Sequence, residues 1–289
     1  MNGILLIDKE PGWTSSDVVV KLKGILRERR IGHAGTLDPM ATGLLTVFVG
    51  RATRAVQFAE HDAKRYLASL RLGVTTDTQD ITGNILETKP VQIAEEELEN
   101  VLRMFRGEIE QIPPMYSAVQ VGGRRLYDIA RKGGTVERAP RPVTIHELKL
   151  LGRDGEDWLL DVRCSKGTYI RTLCHDIGQR LGCGGCMSAL RRTEAGGFSV
   201  SGAVTIGEMQ RLKDEGRAEE RLLPVDTLFF RETACAATGE EERRIRCGND
   251  YKTELPDGVY RVYGESGAFL MLGRAEAGVM KTIKSFFEV

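Results

Sequence analysis

The chain has 289 residues, of which 41% are hydrophobic, and its 41 basic residues balance 41 acidic ones. This length allows one large domain and a small one with an ordinary hydrophobic core. No apolar run is long enough to cross a membrane, and no basic region precedes a long apolar one. We therefore expect a cytoplasmic protein with neither a membrane span nor a secretory signal.

The apolar spacing predicts an α+β fold with a mixed sheet, because strands and helices alternate without a regular βαβ repeat. In chain order we expect a strand at 3–7, a helix capped within 14–17 and ending at 30, a strand at 44–49, a helix at 51–59, a strand at 65–72, a helix at 94–105, an antiparallel strand pair at 144–151 and 158–163, and a helix at 168–181.

Two further regions differ from this domain in composition. Residues 112–142 contain Pro-Pro, two Gly-Gly pairs, several basic residues and two tyrosines, which is typical of an inserted arm. A charged stretch near 213–230 is followed by three short strand patterns with glycine turns. We therefore predict a main domain at 1–230 and a small β-rich domain at 231–289.

The positions of the basic residues and of the cysteines indicate whether the chain binds phosphates or a metal ion. Basic residues are concentrated at 17–30, 111–142 and 163–192, and local basic patches on a neutral protein can bind phosphates. Scattered solvated charge is the alternative, and composition alone favours it. The six cysteines are irregularly spaced, and the single Cys-x-x-Cys at 183–186 lacks a second ligand pair. We expect free thiols and no metal site.

The segment 32–45 carries the strongest chemical signal. It holds one carboxylate, Asp38, among three glycines and directly before Pro39. Glycine permits close backbone approach to a ligand, and the residue before a proline is kept out of the helical conformation. Such a loop can present one acid at a fixed angle in a cleft. An ordinary turn with a capping aspartate is the alternative reading of the spacing.

This segment resembles the catalytic motif of the TruB family of tRNA pseudouridine synthases, Gly-His-x-Gly-x-Leu-Asp-Pro-x-Ala-x-Gly-x-Leu. Further matches are Asn2-Gly3-Ile4-Leu5-Leu6-Ile7-Asp8-Lys9, Lys64-Arg65-Tyr66, Gly73-Val74-Thr75-Thr76-Asp77-Thr78, Gln111-Ile112-Pro113-Pro114-Met115-Tyr116 and Ser165-Lys166-Gly167-Thr168-Tyr169-Ile170-Arg171. The resemblance extends over residues 1–230 in order. It implies a mostly antiparallel sheet flanked by helices (the pseudouridine synthase catalytic fold), an RNA-gripping insertion at 112–142 and a C-terminal RNA-binding module of the PUA type.

The resemblance also implies a reaction. Members of the family isomerise the uridine at tRNA position 55, in the T-loop, by glycosidic bond cleavage, base rotation and carbon–carbon reattachment. This isomerisation has no redox change and no group donor, so no cofactor is expected. Asp38 is the implied catalytic residue, as nucleophile or base. Covalent addition to C1′ or C6 and removal of the C2′ proton to give a glycal both stay open.

Other implied site residues surround the flipped-out uridine. Tyr66 matches the family's stacking tyrosine, although a tyrosine in a strand is usually packing. Tyr169 and Arg171 are two residues apart and would share one face if the segment were extended. Arg171 is expected to pair with Asp38, and Leu190 to line the uracil pocket. His33 is expected to enter the RNA loop, and Lys64 to contact phosphate or to be structural.

The partner implied is the T stem-loop of tRNA. The expected backbone contacts come from basic residues of the arm, namely Arg124, Arg125, Arg131 and Lys132. The arm favours a stand-alone monomeric enzyme without an obligatory protein partner over a guide-RNA-dependent synthase. An RNA chaperone, which binds and refolds tRNA, is a further alternative, and the two activities can coexist in one protein.

Overall fold

The structure, a computed structural model, describes residues 1–59 and 63–287. Within these residues the helices are α1 (Ser15–Leu26), α2 (Val56–Ala59), α3 (Glu95–Met104), α4 (Leu126–Ala130), α5 (Ile170–Arg180), α6 (Ile206–Asp214) and α7 (Gly239–Arg246). The strands are β1 (Gly3–Lys9), β2 (Ile31–Ala34), β3 (Thr42–Val49), β4 (Lys64–Leu72), β5 (Val74–Thr76), β6 (Ile85–Thr88), β7 (Gly107–Gln111), β8 (Gln120–Val121), β9 (Arg124–Arg125), β10 (Arg141–Asp154), β11 (Asp157–Cys164), β12 (Gly185–Ala195), β13 (Phe198–Ser199), β14 (Thr233–Ala236), β15 (Tyr251–Lys252), β16 (Gly258–Tyr263), β17 (Phe269–Glu276) and β18 (Val279–Ser285). None of the described helices is long and apolar enough to cross a membrane.

The main sheet confirms the predicted fold class. Its strand order is β1-β3-β12-β4-β11-β10-β7, with β2 paired to β3 and β13 paired to β12. Every pairing is antiparallel except that of β12 with β3, which is parallel. The sheet is therefore mixed but mostly antiparallel, with helices against it.

The first helix illustrates how local sequence sets an element boundary. Thr14 and Asp17 form a reciprocal capping box, in which the Thr14 side chain accepts from the Asp17 amide. The helix was expected to continue to residue 30, but it ends at Leu26 because Arg27 adopts the left-handed conformation, with φ 56° and ψ 35°. Strand β2 begins soon afterwards, at Ile31, and the apolar pattern did not predict it.

The two halves of the main sheet meet where β3 runs beside β12. Only two residue pairs join these strands, Thr42 with Arg191 and Gly43 with Arg192. Gly43 has φ +95°, and a Cβ atom there would lie 2.3 Å from the Arg192 carbonyl oxygen, so only glycine fits. On the other side of β12, Tyr66 of β4 lies opposite Arg192. The loop that carries Asp38 leads directly into this junction.

Helices cover one face of the sheet in two groups. Helix α5 and helix α3 pack over β4, β11 and β12, around Leu70, Leu160 and Leu173. Helices α1 and α6 pack over β1 and β3. These two layers hold the strands that carry the site residues.

The arm is an insertion between two paired strands. Gln111 at the end of β7 lies opposite Arg141 at the start of β10, so the sheet is continuous beneath the intervening residues. Those residues form the β8–β9 hairpin and α4. This arrangement fits an arm that projects from one edge of the sheet.

The C-terminal residues form a second sheet of order β14-β16-β17-β18-β15. It has its own hydrophobic cluster, which includes Tyr260, Val262 and Met280. It also contributes Phe286 to a cluster that contains Phe229, with ring centroids 5.8 Å apart. The tail therefore has a core of its own and shares a second one with residues before the predicted boundary at 230. That boundary and the PUA likeness stay predictions.

Candidate active site

Asp38 lies in the loop between β2 and β3, with 35% of its side chain exposed. Arg171 meets it with two nitrogens: Nε is 2.9 Å from Oδ2, and Nη2 is 3.2 Å from Oδ1. Two parallel N–H···O contacts between a guanidinium and a carboxylate restrict both the position and the plane of the acid. Asp38 is thus an oriented carboxylate that solvent or a ligand can still reach.

Arg171 is itself held on several sides. It lies in the first turn of α5 and is 5% exposed. Its Nη2 donates to the Tyr116 carbonyl oxygen at 2.8 Å, and its Nη1 donates to the Thr78 carbonyl oxygen at 3.3 Å. Because Tyr116 belongs to the base of the arm, the Asp38 loop, the arm and the β5–β6 turn all converge on one guanidinium.

Asp80 is a second carboxylate that sequence reasoning missed. It is buried, and its Oδ2 lies 3.8 Å from Arg171 Nη1. Its Oδ1 accepts hydrogen bonds from the Thr78 hydroxyl and from both the amide and the hydroxyl of Thr82. A Thr-x-Thr-x-Asp segment has no hydrophobic periodicity, so only the fold brings this residue to the site.

Burial raises the pKa of Asp38 above its ordinary value. The Arg171 guanidinium opposes this rise, the Asp80 carboxylate adds to it, and the Lys9 ammonium opposes it. Asp38 therefore gains a proton more readily than a solvated aspartate when the pH falls, and its ionised form depends on the nearby cations.

Lys9 is a fully buried cation beneath the loop. Its Nζ donates to the carbonyl oxygens of Glu10, Trp13 and Pro39 at 3.0, 2.7 and 3.2 Å. Burial lowers the pKa of Lys9 to about 8, so it stays mainly charged at neutral pH. Three carbonyl oxygens match the three N–H bonds of an ammonium. The alternation of inward residues along β1 contained this signal, because Lys9 follows Leu5 and Ile7 on the same face.

The expected common face of Tyr169 and Arg171 is wrong. The segment is not extended, because Tyr169 is the N-cap of α5 and Arg171 already lies within the helix. Gln111, another residue missed from the sequence, fixes the cap: its side chain donates to the Tyr169 carbonyl oxygen at 3.1 Å and accepts from the Tyr169 amide at 2.9 Å. Tyr169 remains half-buried beside the Arg171 turn.

Tyr66 and Leu190 lie on adjacent strands and face the same side of the sheet. Leu190 is opposite Ala68, two residues along β4 from Tyr66. Both side chains belong to the hydrophobic cluster that also contains Leu37, the residue before Asp38. Burial raises the pKa of Tyr66, so its hydroxyl stays protonated at neutral pH. An aromatic ring and an aliphatic side chain therefore lie in the cluster next to the Asp38 loop.

The remaining predicted residues fall into two places. His33 is half-buried on β2, and the Lys64 side chain packs beside Gly35, where its Cε would lie 3.3 Å from an added Cβ. The basic residues of the arm are exposed, namely Arg124, Arg125, Arg131 and Lys132. Arg131 stacks over the Tyr127 ring at 5.4 Å, and Arg125 donates to the Tyr127 hydroxyl at 2.8 Å.

The potential metal ligands within residues 1–59 and 63–287 include the two thiols of the Cys-x-x-Cys segment. The described residues contain no group of three or more His, Cys, Asp or Glu side chains arranged to hold a metal ion. Cys183 and Cys186 are buried free thiols, and burial raises the pKa of Cys186 to about 11. A buried protonated thiol is a poor nucleophile and a poor ligand.

Two family models match this chain. Residues 23–170 match the N-terminal domain of the TruB family pseudouridylate synthases, and residues 171–229 match the C-terminal domain of tRNA pseudouridylate synthase B. The chain belongs to the TruB family. The matched region includes Asp38, Tyr66, Arg171 and Leu190, so the family likeness covers the site described above.

Curated relatives agree with the TruB assignment. The chain is 39% identical to a tRNA pseudouridine synthase B of Clostridium kluyveri over 99% of this chain and 100% of the relative. It is 48% identical to a protein of the same name from Stutzerimonas stutzeri over 78% of this chain and 75% of the relative.

A solved structure shows a similar overall arrangement. A chain from the crystal structure of a Cbf5-Nop10-Gar1 complex aligns with this TruB-family chain at a TM-score of 0.75 and 25% identity, covering 99% of this chain and 85% of that one. The likeness extends over both sheets.

Proposed function

We propose that this TruB-family enzyme isomerises the uridine at position 55 of tRNA to pseudouridine, with Asp38 as the catalytic carboxylate. The observation that carries the proposal is the Asp38–Arg171 pair: an acid held at 2.9 Å by a nearly inaccessible guanidinium, yet itself open to a ligand. Relatives that match the whole chain are named tRNA pseudouridine synthase B. The reaction needs no redox partner and no group donor.

The roles follow from the geometry of the loop. Arg171 keeps Asp38 oriented and favours its ionised form, as a nucleophile or a base requires. The target uridine must leave the stacked T-loop, at a cost of about a few kcal/mol. Tyr66 would supply a stacking surface for the flipped base, and Leu190 an apolar wall of its pocket. The C5 hydrogen of uridine leaves as a proton when C5 joins C1′.

The arm and the tail would bind the rest of the stem-loop. The exposed cations of the arm neutralise phosphates, and Tyr116 at its base contacts Arg171 at 2.8 Å, so RNA gripped by the arm lies close to the catalytic pair. We assign the C-terminal sheet to RNA binding as a PUA-like module. The enzyme acts alone, as a cytoplasmic monomer that requires no guide RNA.

Tritium release tests the proposal directly. Purified protein is incubated with tRNA transcript labelled with tritium at C5 of uridine, without guide RNA or other proteins. We expect one tritium released per tRNA, and none from a transcript in which position 55 is cytidine. Asp38→Asn, which is nearly isosteric, should bind tRNA but release none. Release by Asp38→Asn within about tenfold of the wild-type rate, a difference of about 1.4 kcal/mol, would reject Asp38 as the catalytic group.

A further inference from the structure

The backbone of the catalytic loop is held by a serine that does not touch the reacting carboxyl. Ser15, in the first turn of α1, is 1% exposed. Its Oγ accepts a hydrogen bond from the Leu37 amide at 2.9 Å and donates one to the Leu37 carbonyl oxygen at 3.2 Å. One hydroxyl thus satisfies both backbone groups of the residue immediately before Asp38.

A buried arginine holds the same loop from the opposite side. Arg192 of β12 has no exposed surface. Its Nη2 donates to the Gly35 carbonyl oxygen at 2.8 Å, and its Nε donates to the Leu44 carbonyl oxygen at 2.7 Å. Arg192 therefore joins the residue at which the loop begins to the strand that follows it. The same residue lies opposite Tyr66 in the sheet register.

Burying the Arg192 guanidinium costs more free energy than burying an apolar side chain that only fills space. A buried guanidinium must be desolvated, and Nη1 of Arg192 is buried without a hydrogen-bond partner. The side chain does donate to two backbone carbonyls, one on each flank of Asp38, and it also interacts with the Tyr66 side chain. Neither Ser15 nor Arg192 contacts the Asp38 carboxyl in the described structure, so any effect on that carboxyl passes through the backbone of the loop.

We infer that Ser15 and Arg192 are positioning residues, which clamp the backbone on both flanks of Asp38 so that its carboxylate meets Arg171 and the substrate. This inference rests on the proposed function. Without these hydrogen bonds Asp38 still has a carboxylate of the same reactivity. The backbone no longer holds that carboxylate at a fixed position relative to Arg171 and the substrate. Misplacement of a reacting group by about 1 Å can cost on the order of 100-fold in rate.

Ser15→Ala tests the first clamp, with Ser16→Ala as the matched control. Ser16 is the exposed neighbour in the same helical turn. We expect Ser15→Ala to lower the single-turnover rate at saturating tRNA by about 10- to 100-fold. The dissociation constant for tRNA and the melting temperature should stay close to those of Ser16→Ala. Equal rates in the two variants would overturn the role of Ser15.

The pH profile separates positioning from general destabilisation. Arg171 and Lys9 lower the pKa of Asp38, whereas Asp80 raises it. If Ser15→Ala lets the carboxylate move away from Arg171, the pKa of Asp38 rises further, and the acid limb of the rate profile moves to higher pH. A slower enzyme with an unmoved acid limb would assign Ser15 a purely structural role.

Arg192 is tested against Arg191, the next residue on the same strand. Arg191 points to the other face and pairs with Asp8 at 2.7 Å. We expect Arg192→Met to lose about 100-fold in single-turnover rate or more, and Arg191→Met to change it less than threefold. If Arg192→Met proves unstable, Arg192→Lys, which can reach only one of the two carbonyls, should fold and give an intermediate rate. Wild-type rates in a folded Arg192 variant would overturn the role of Arg192.

A readout independent of turnover keeps this inference distinct from the proposed function. The carboxyl carbon of Asp38 can be titrated by NMR in wild-type protein and in Ser15→Ala. A higher pKa in the variant supports the clamp even if the wild-type protein fails to release tritium from tRNA, which would reject the proposed function alone. An unchanged titration rejects the clamp even if the wild-type enzyme is fully active.

Discussion

The reactivity of Asp38 is set by a few neighbouring charges. Burial and the Asp80 carboxylate favour its protonated form, and Arg171 and Lys9 favour its ionised form. Arg171 contacts both acids, at 2.9 Å to Asp38 and 3.8 Å to Asp80, so one cation is shared between two carboxylates. The ionisation state of Asp38 therefore depends also on Asp80, which shares the same guanidinium.

Asp80→Asn should shift the pH dependence of the reaction. The substitution removes a charge that raises the pKa of Asp38, so that pKa falls. In the proposed mechanism the reaction requires ionised Asp38 and slows as the pH drops through this pKa, so the acid limb of the rate profile should move to lower pH. Asparagine retains an oxygen that can accept from Thr78 and Thr82. Single-turnover rates from mildly acidic to neutral pH measure the shift.

The control for this experiment is Asp77→Asn. Asp77 lies in the same turn, but its carboxylate accepts from the Asn84 amide at 2.8 Å and does not reach Arg171. Removing its charge should leave the acid limb in place. An equal shift in both variants would mean that the acid limb of the rate profile depends on the total charge of the turn and not on the position of Asp80.

Tyr66 should tolerate loss of its hydroxyl better than loss of its ring. Tyr66→Phe keeps the stacking face, whereas Tyr66→Ala removes it, and stacking contributes about 1–3 kcal/mol per base. We expect Phe to stay within severalfold of the wild-type rate and Ala to lose most activity. Because Tyr66 lies in a core cluster, Tyr66→Leu is the control that fills volume without an aromatic face. If Phe is as inactive as Ala, the hydroxyl acts beyond stacking.

At the scale of elements, the site is assembled at the junction of the two half-sheets. Strand β3 brings the Asp38 loop, β12 brings Arg192, and β4 brings Tyr66. The parallel β3–β12 contact is only two residue pairs long, so the junction depends on close backbone approach at Gly43. Strand propensity does not predict that the backbones of β3 and β12 come this close, but the glycine at position 43 permits it.

Gly43→Ala should destabilise the fold by more than about 2 kcal/mol, because it combines a strained φ of +95° with a Cβ atom 2.3 Å from a backbone oxygen. Urea denaturation measures the change. Gly24→Ala is the control: Gly24 lies inside α1 with nothing within 4 Å of an added Cβ, and should stabilise by about 0.5–1 kcal/mol. A stable Gly43→Ala variant would show that the junction can separate without cost.

The arm should contribute the salt dependence of tRNA binding. Replacing the four exposed cations by glutamine should weaken binding and reduce the log–log salt slope by up to about 0.7–0.9 per lost phosphate contact. The replaced residues are Arg124, Arg125, Arg131 and Lys132. The single-turnover rate on bound tRNA should change less.

The control for the arm uses arginines whose charges are already neutralised. Arg211 pairs with Glu215 at 2.9 Å, and Arg217 pairs with Glu220 at 2.9 Å. Replacing them by glutamine should leave the salt slope unchanged. An unchanged slope in the arm variant would mean that this segment does not contact the RNA backbone.

At the scale of the whole molecule, the C-terminal sheet has its own hydrophobic cluster and also packs against aromatic residues that precede it in the chain. Its own cluster could support a separate sheet, but Phe269 and Phe286 pack on Phe229, at 6.0 and 5.8 Å between ring centroids. Phe58, which precedes the predicted boundary, also packs on Phe229, edge to face with ring centroids 5.4 Å apart. Removing the tail therefore uncovers aromatic surface on the catalytic domain.

Deletion of residues 231–289 should give a main domain that is less soluble and melts at a lower temperature, because Phe58 and Phe229 lose their cover. Replacing both phenylalanines by serine in the truncated protein should restore solubility. The soluble version should retain catalysis with weaker tRNA binding, since the proposed catalytic residues all precede the deletion. A truncated protein as stable as the full chain would show that the shared cluster is dispensable.

The sequence by itself determined the class of fold, most helices and strands and the position of the insertion, and it predicted Asp38 as the principal acid. These features are local: hydrophobic periodicity, capping residues, glycine and proline placement, and a contiguous motif around Asp38. The end of α1 was predicted too late, because a single left-handed residue, Arg27, decides it.

Only the tertiary structure decided which distant residues surround the acid. Lys9, Asp80, Gln111 and Arg192 are spread over more than half of the chain, and each reaches the site through sheet pairing or a turn on another strand. The common face expected for Tyr169 and Arg171 failed because Gln111 caps the helix at Tyr169, a contact between residues 58 positions apart. Such contacts depend on long-range strand register, and a sequence pattern records only what lies within a few residues.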